Sequence, residues 1–206
     1  MTDKFQKLIG DEIISDSLID REKFSLAGET PTIVIFPTAI AHISKIMTFA
    51  NRERIKILIS GNNSQHYFGS AIETPDWCIS LNRLNKIIEH EVVDLIITVE
   101  AGVTFSQLQK FLTVYRQFLP LDPINTNQRT LGGIVATNSA GPLRLQYGSC
   151  RDLILGLKVV LPDGTIIRTG GKTVKNVAGY DLSKLFIGSM GTLGVITEIT
   201  FKLSPR

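Results

Sequence analysis

Thr130-Leu-Gly-Gly-Ile-Val-Ala-Thr-Asn-Ser-Ala-Gly-Pro142 mixes glycine, alanine and small hydroxyl residues over thirteen positions. It is too apolar for a solvent loop and too glycine-rich for a stable helix. A segment packed against a planar ring system accounts for both properties; a tightly packed internal turn is the plainer alternative. A second stretch has the same character: Gly179-Tyr-Asp-Leu-Ser-Lys-Leu-Phe-Ile-Gly-Ser-Met-Gly-Thr-Leu-Gly-Val-Ile-Thr197. Glycine has no Cβ, so its backbone N–H can approach a ligand closely. Separate glycine clusters with few charges nearby are how main chain holds a large, flat, phosphate-bearing cofactor. Turn formation alone explains one such cluster and not several.

Working outward, Thr32-Ile-Val-Ile-Phe36 is a continuous apolar run ending at Pro37, as expected of a buried strand. Thr38 is placed to cap a helix over residues 39–54, where Ile40, Ile43, Ile46, Met47 and Ala50 recur at helical spacing. Ile55-Lys-Ile-Leu-Ile59 reads as a second apolar strand and runs into Ser60-Gly-Asn-Asn-Ser64. Strand, helix, strand and a small polar turn form a βαβ unit, which predicts that the two strands are parallel. Glycine with small polar residues just past a strand end makes an anion nest, read here as the grip on a diphosphate.

Residues 10–27 read as a short helix and loop, and residues 78–81 as a third short strand. Residues 87–90 and 95–100 form an expected antiparallel pair. An amphipathic helix is predicted over 104–115, with Phe105, Leu108, Leu112 and Tyr115 on one face. Residues 154–161 and 165–169 form a hairpin around Pro162-Asp-Gly164. A short helix over 181–186 and a strand over 195–203 complete the pattern.

Two apparent motifs fail. Gly170-Gly-Lys-Thr173 lacks the earlier glycine of a nucleoside-triphosphate loop, because that position is Ile166. Gly188-Ser-Met-Gly-Thr-Leu-Gly194 is not Gly-x-Gly-x-x-Gly and precedes a strand rather than opening a helix, which disfavours a nicotinamide-binding Rossmann unit. His42, His66 and His90 are far apart, and only His66, just past the polar turn, is a candidate for a site role. No Cys/His/Asp/Glu cluster points to a metal, and no Gly-x-Ser-x-Gly elbow points to a serine hydrolase.

The 206 residues suit one domain or two tightly joined lobes, and 43% hydrophobic with 20% charged residues describe a soluble globular chain. A net charge of +3 without clustering gives little support to nucleic-acid or membrane-surface binding. No apolar run reaches the ~18 residues needed to span a bilayer, and the N-terminus has no signal core. A cytoplasmic protein, or one peripheral to a membrane through a partner, is expected. Cys78 and Cys150 are expected as separate thiols in a reducing compartment, with a lone disulfide as the alternative.

Arg151-Asp-Leu-Ile-Leu-Gly-Leu-Lys-Val-Val-Leu-Pro-Asp-Gly164, Gly171-Lys-Thr-Val-Lys-Asn-Val-Ala-Gly-Tyr-Asp-Leu-Ser-Lys-Leu-Phe186 and residues 188–198 carry a family resemblance. The chain resembles FAD-linked oxidases of the vanillyl-alcohol oxidase type, with a PCMH-type FAD-binding domain. It is most similar to the FAD-binding subunit of bacterial glycolate oxidase. The resemblance covers roughly residues 30–206. It implies an α+β fold of two lobes, a small parallel βαβ lobe over about 28–80 and a larger, mainly antiparallel lobe over about 81–206, with FAD between them. It implies that Ser60, Gly61, Asn62, Asn63 and Ser64, with Phe68 and Gly69, hold the diphosphate. Pro120, Leu121, Leu131, Gly132, Gly133, Ala136, Thr137, Asn138, Ser139, Ala140 and Gly141 would line the flavin and ribityl chain. Tyr147 and Gly148 would close that side, and Gly194, Val195 and Ile196 would meet the adenosine end.

Two departures from the family pattern bear on function. Some relatives attach FAD covalently through a histidine in a Gly-Gly-His-Ser turn; here Asn63 stands in that position, so FAD is expected to bind without a covalent link. The family's C-terminal cap domain, which supplies much of the substrate pocket, would begin where this sequence stops. A fragment, or a site completed by partner oxidase subunits, is expected. The resemblance thus implies a flavin-dependent 2-hydroxy-acid oxidoreductase acting on a small substrate. An FAD-holding assembly subunit without turnover and a non-flavin nucleotide-binding module are the alternatives. No catalytic base is assigned; His66, Tyr147, Lys175 and Tyr180 are where one would be sought if the site were complete.

Overall fold

A computed structural model describes residues 13–25, 28–64, 74–171 and 181–206. Two sheets organise them. The first has four strands: β1 (Ile14–Ser15), β2 (Ile33–Ile35), β3 (Ile57–Ser60) and β4 (Trp77–Ser80), in the order β1-β2-β4-β3. Helix α1 (Leu18–Lys23) follows β1, and α2 (Ile40–Glu53) connects β2 to β3. Both β2 and β3 pair in parallel with β4, so they run the same way as the βαβ reading requires, but β4 lies between them. β1 pairs antiparallel with β2 and was not anticipated.

β2 is apolar throughout because both its faces are covered. Ile33 and Ile35 join the main core, whereas Val34 and Phe36 pack with Phe24 and Cys78 in a smaller cluster. On α2, Ile43, Ile46, Met47, Phe49 and Ala50 are buried along one face. Its N-cap is Ala39, not Thr38, and no side chain caps it; the Thr38 hydroxyl lies 3.5 Å from His42 Nδ1 instead. Arg54, in the left-handed conformation at φ 55°, ends the helix.

The second sheet contains β5 (Ile87–Glu91), β6 (Ile96–Glu100), β8 (Ile154–Val160), β9 (Ile166–Gly170) and β10 (Val195–Lys202), in the order β5-β6-β10-β8-β9. All its pairings are antiparallel. A short ribbon of β7 (Gln117–Phe118) with β11 (Ser204–Pro205) completes the strands among the described residues. Helix α3 (Phe105–Thr113) is held at its start by a capping box between Thr104 and Gln107, and it buries Phe105, Leu108 and Leu112. Tyr115 lies past the helix end, partly exposed, against the ring of His90 at 4.7 Å.

One hydrophobic core runs through both sheets. The hairpin turn between β8 and β9 is also tied to α2: Ser44 Oγ donates to the Gly164 carbonyl at 2.6 Å, and Thr48 Oγ1 to the Asp163 carbonyl at 3.1 Å. Gly164 is at φ 88°, and a Cβ there would stand 1.9 Å from Thr48 Oγ1. The turn therefore needs glycine both for its conformation and for its approach to the helix.

Candidate functional site: a glycine-lined cleft

The glycine-rich stretch Thr130–Pro142 is helical in its first half. Leu131–Ala136 forms α4, contrary to the expectation that its glycines preclude a helix. Thr130 is the N-cap, with its hydroxyl accepting from the Gly133 N–H at 3.3 Å. The helix start is fixed by two further bonds, from the Leu131 N–H to the Val103 carbonyl and from the Gly132 N–H to the Ala101 carbonyl, both 2.8 Å. Gly132 is needed for that approach, since a Cβ there would be 2.8 Å from Ala101 Cβ. Packing and capping here override intrinsic propensity.

The end of α4 recruits the second glycine-rich stretch. The Gly188 N–H donates to the Val135 carbonyl at 3.0 Å and the Met190 N–H to the Ala136 carbonyl at 2.9 Å. The turn at Gly61 meets α4 from the other side. A Cβ at Gly61 would lie 2.1 Å from Thr130 Oγ1. Three segments distant in sequence thus surround one cleft.

Its polar end is lined by Ser60, Gly61, Asn62, Asn63, Ser64, Arg129, Thr130, Gly133, Ala136, Thr137 and Met190. Its middle is apolar, with Ile59, Leu81, Gly132, Gly133, Gly191, Gly194 and Ile196. It continues past Gly191 and Gly194 to Met47, Ala50, Ile55, Ile57 and Pro162. Asn62 and Asn63 brace the turn: Asn62 Nδ2 donates to the Gln128 carbonyl at 3.1 Å and Asn63 Nδ2 to the Lys23 carbonyl at 2.7 Å. Asn63 itself is in the left-handed region at φ 54°, which asparagine tolerates.

The other residues expected at the site fall as follows. Thr137 and Ser139 follow the helix, their hydroxyls 2.9 Å apart. Asn138, at φ 50°, has a buried Oδ1 without a hydrogen-bond partner. Ala140 and Gly141 pack on Asp122; the Asp122 N–H donates to the Ala140 carbonyl at 3.2 Å, and a Cβ at Gly141 would be 1.9 Å from Asp122 Oδ1. Pro120 and Leu121 are buried, and Val195 lies in β10 opposite Val160. Tyr147 is half-buried, edge-on to Phe118 at 5.6 Å, and Gly148 follows at φ 88°. Pro120, Leu121, Leu131, Asn138, Ser139, Ala140, Gly141, Tyr147, Gly148 and Val195 line none of the three stretches of the cleft. Phe68, Gly69, His66, Lys175 and Tyr180 lie outside the described residues.

Arg129, Met190 and Gly191 also line the cleft and were not foreseen. Arg129 is only 4% exposed, and its Nη2 donates to Ser139 Oγ at 2.9 Å and Thr137 Oγ1 at 3.3 Å. The signal for it was a single basic residue directly before the glycine segment. Beside it, Cys150 Sγ donates to the Ser139 carbonyl at 3.4 Å. Burial pushes that thiol up to about 12, against the pull of its backbone hydrogen bond and of Arg129.

The cleft fits a dinucleotide with a planar ring. A Cβ at Gly133 would meet only Thr130 Oγ1, at 3.2 Å, and one at Gly191 only the Ile59 side chain, so main chain is laid open along the groove. Polar groups and a cation gather at one end and apolar side chains in the middle, as a diphosphate next to flat rings demands.

The comparisons with known proteins agree. A protein family described as FAD binding domain matches residues 31–170. The mitochondrial D-lactate dehydrogenase [cytochrome] of Arabidopsis thaliana is 36% identical over 183 residues, which is 89% of this chain and 32% of that protein. Glycolate oxidase subunit GlcD of Bacillus subtilis is 39% identical over 176 residues, 85% of this chain and 37% of that protein. The chain therefore spans about a third of the length of these relatives. Among solved structures, alkyldihydroxyacetonephosphate synthase superposes with a TM-score of 0.85 over 99% of this chain and 40% of its own, at 21% identity, which establishes the two-sheet α+β fold. With 140 consecutive residues matched, two of the three segments that line the cleft among them, the chain belongs to the FAD binding domain family, and FAD is its cofactor.

Proposed function

We propose that this chain is the non-covalent FAD-binding domain or subunit of a flavin-dependent oxidoreductase that acts on small 2-hydroxy acids, of the glycolate oxidase type. The observation that carries the reading is the convergence of residues 60–64, 129–137 and 190–196 on one glycine-lined cleft. The names of the relatives, a glycolate oxidase subunit and a D-lactate dehydrogenase, support the substrate class, and the word subunit supports partner polypeptides. The small lobe over about 28–80 and the larger lobe over about 81–206 would each supply one wall.

FAD, when bound, supplies an acceptor for a hydride equivalent from the substrate's α-carbon. The chain's own residues bind and orient it. Ser60, Gly61, Asn62, Asn63 and Ser64 hold the diphosphate end. Gly132, Gly133, Ala136, Thr137 and Asn138 receive the flavin and ribityl chain. Gly194, Val195 and Ile196 face the adenosine. The Asn63 side chain supports non-covalent binding: its amide nitrogen is no nucleophile and is engaged with the Lys23 carbonyl.

The test has two stages. Purified protein reconstituted with FAD is expected to be yellow and to release its colour on acid precipitation. Flavin retained in the pellet would overturn the non-covalent assignment, and protein that FAD cannot reconstitute would overturn the whole reading. Anaerobic bleaching of the flavin by glycolate or D-lactate, by the chain alone or with a partner subunit, is expected next. Its absence in both settings would leave an FAD-holding role without turnover.

A further inference from the structure

Arg129 is the only cationic side chain among the described residues that line the cleft. It is almost wholly buried, at the polar end and beside the 60–64 turn. Ser139 and Thr137 accept two hydrogen bonds from the same terminal nitrogen, Nη2, and so fix the plane of the fork. Those two hydroxyls are themselves tethered, with Thr137 Oγ1 donating to the Gly133 carbonyl at 2.8 Å. The guanidinium is therefore held in place by two hydroxyls at and just past the end of α4, and the adjoining Gln128 carbonyl accepts from Asn62 Nδ2 of the 60–64 turn at 3.1 Å. A dianionic diphosphate taken out of water needs a counter-charge, and a planar fork matches phosphate oxygens better than an ammonium does.

We propose that Arg129 is a diphosphate-positioning residue: its guanidinium, oriented by Thr137 and Ser139, supplies the positive charge that seats the FAD diphosphate against the 60–64 turn. This rests on the reading of the cleft as the FAD site. It adds a charged contact to a grip that otherwise consists of main chain and small polar side chains. It also gives Thr137 and Ser139 a role through the arginine.

The experiment compares the FAD-loaded chain with Arg129→Met and Arg129→Lys. Loss of the fork is expected to weaken FAD binding at least tenfold in Arg129→Met and less in Arg129→Lys. The 31P resonances of the bound diphosphate, read at saturating FAD, are expected to move in both variants. Circular dichroism and the visible flavin spectrum are expected to stay close to those of the parent. FAD affinity within twofold of the parent, or unchanged 31P shifts, would overturn the proposal. So would weakened binding with unmoved 31P shifts, which is the result of a merely structural role. If Arg129→Met does not fold, Arg129→Lys carries the same decision through its 31P shifts. Failure of the parent to bind FAD would instead overturn the reading of the cleft itself.

Discussion

Gly61 and Thr130 touch across the cleft so closely that a Cβ on Gly61 would stand 2.1 Å from the Thr130 hydroxyl and 2.9 Å from its methyl. Gly61 directly follows β3 of the first sheet, and Thr130 caps α4. Their contact sets how near the two walls of the cleft can come.

Gly61→Ala is expected to destabilise the apo chain by about 1–3 kcal/mol, the usual cost of overpacking. Thr130→Ala is expected to cost about 1 kcal/mol through loss of the α4 cap. In the double variant Gly61→Ala should cost less than it does alone, because the clashing side chain is gone. Urea denaturation of the four proteins measures the coupling; strict additivity would show that the residues do not constrain each other.

Gly133→Val is expected to leave the fold largely intact and to lower FAD affinity by roughly 100-fold or more, since a branched side chain would fill a narrow planar slot. Gly133 lies within α4 and is not among the positive-φ glycines, so backbone strain plays no part, contrary to what a glycine-rich turn suggests. Only Thr130 Oγ1, at 3.2 Å, would meet the new Cβ. FAD titration beside circular dichroism decides it. Normal affinity in a folded variant would place the flavin elsewhere.

Cys78 and Cys150 are both free and buried, and burial raises each thiol from 9.0 to about 12. The thiolate is the reactive form, so neither should react with a disulfide reagent in the folded protein at pH 8, while both should react in denaturant. The folded state holds its thiol protons above the pH at which the unfolded chain releases them. Stability should therefore be unaffected by these groups below pH 9 and should fall as the pH rises from 9 toward 12. Rapid titration of either thiol in the native state would contradict the burial.

Lys158 and Glu198 pair across β8 and β10 with side chains only 15% and 16% exposed. Glu198→Gln, which strands the ammonium, is expected to cost about 1–3 kcal/mol. Replacing both, as Lys158→Met with Glu198→Leu, should cost markedly less, because no half-buried charge is left alone. Urea midpoints separate the cases; equal losses would mean that the side chains act only by packing.

Some of this protein was legible in its residues. The spacing of Ile43, Ile46, Met47 and Ala50 determined α2, and Pro162-Asp-Gly164 determined the β8–β9 hairpin. Both signals are local: one face of a single helix, or one turn whose neighbours pair directly. The glycine clusters likewise announced close approach of backbone to its neighbours, seen where Gly61 meets Thr130 and Gly132 meets Ala101, because glycine's lack of a Cβ is a property of the residue and not of its surroundings.

Three features were decided only by tertiary structure. β4 lies between β2 and β3 because parallel pairing is chosen by which apolar strands the sheet can bury, not by order in the chain. Leu131–Ala136 is helical despite its glycines, because Thr130 caps it and the Val103 and Ala101 carbonyls anchor its first turn. Arg129 joins the cleft because the polypeptide brings it against the 60–64 turn, more than sixty residues away in sequence. Local rules determine what a segment can become; the long-range bonds and buried contacts that choose among those options exist only once the chain has closed on itself.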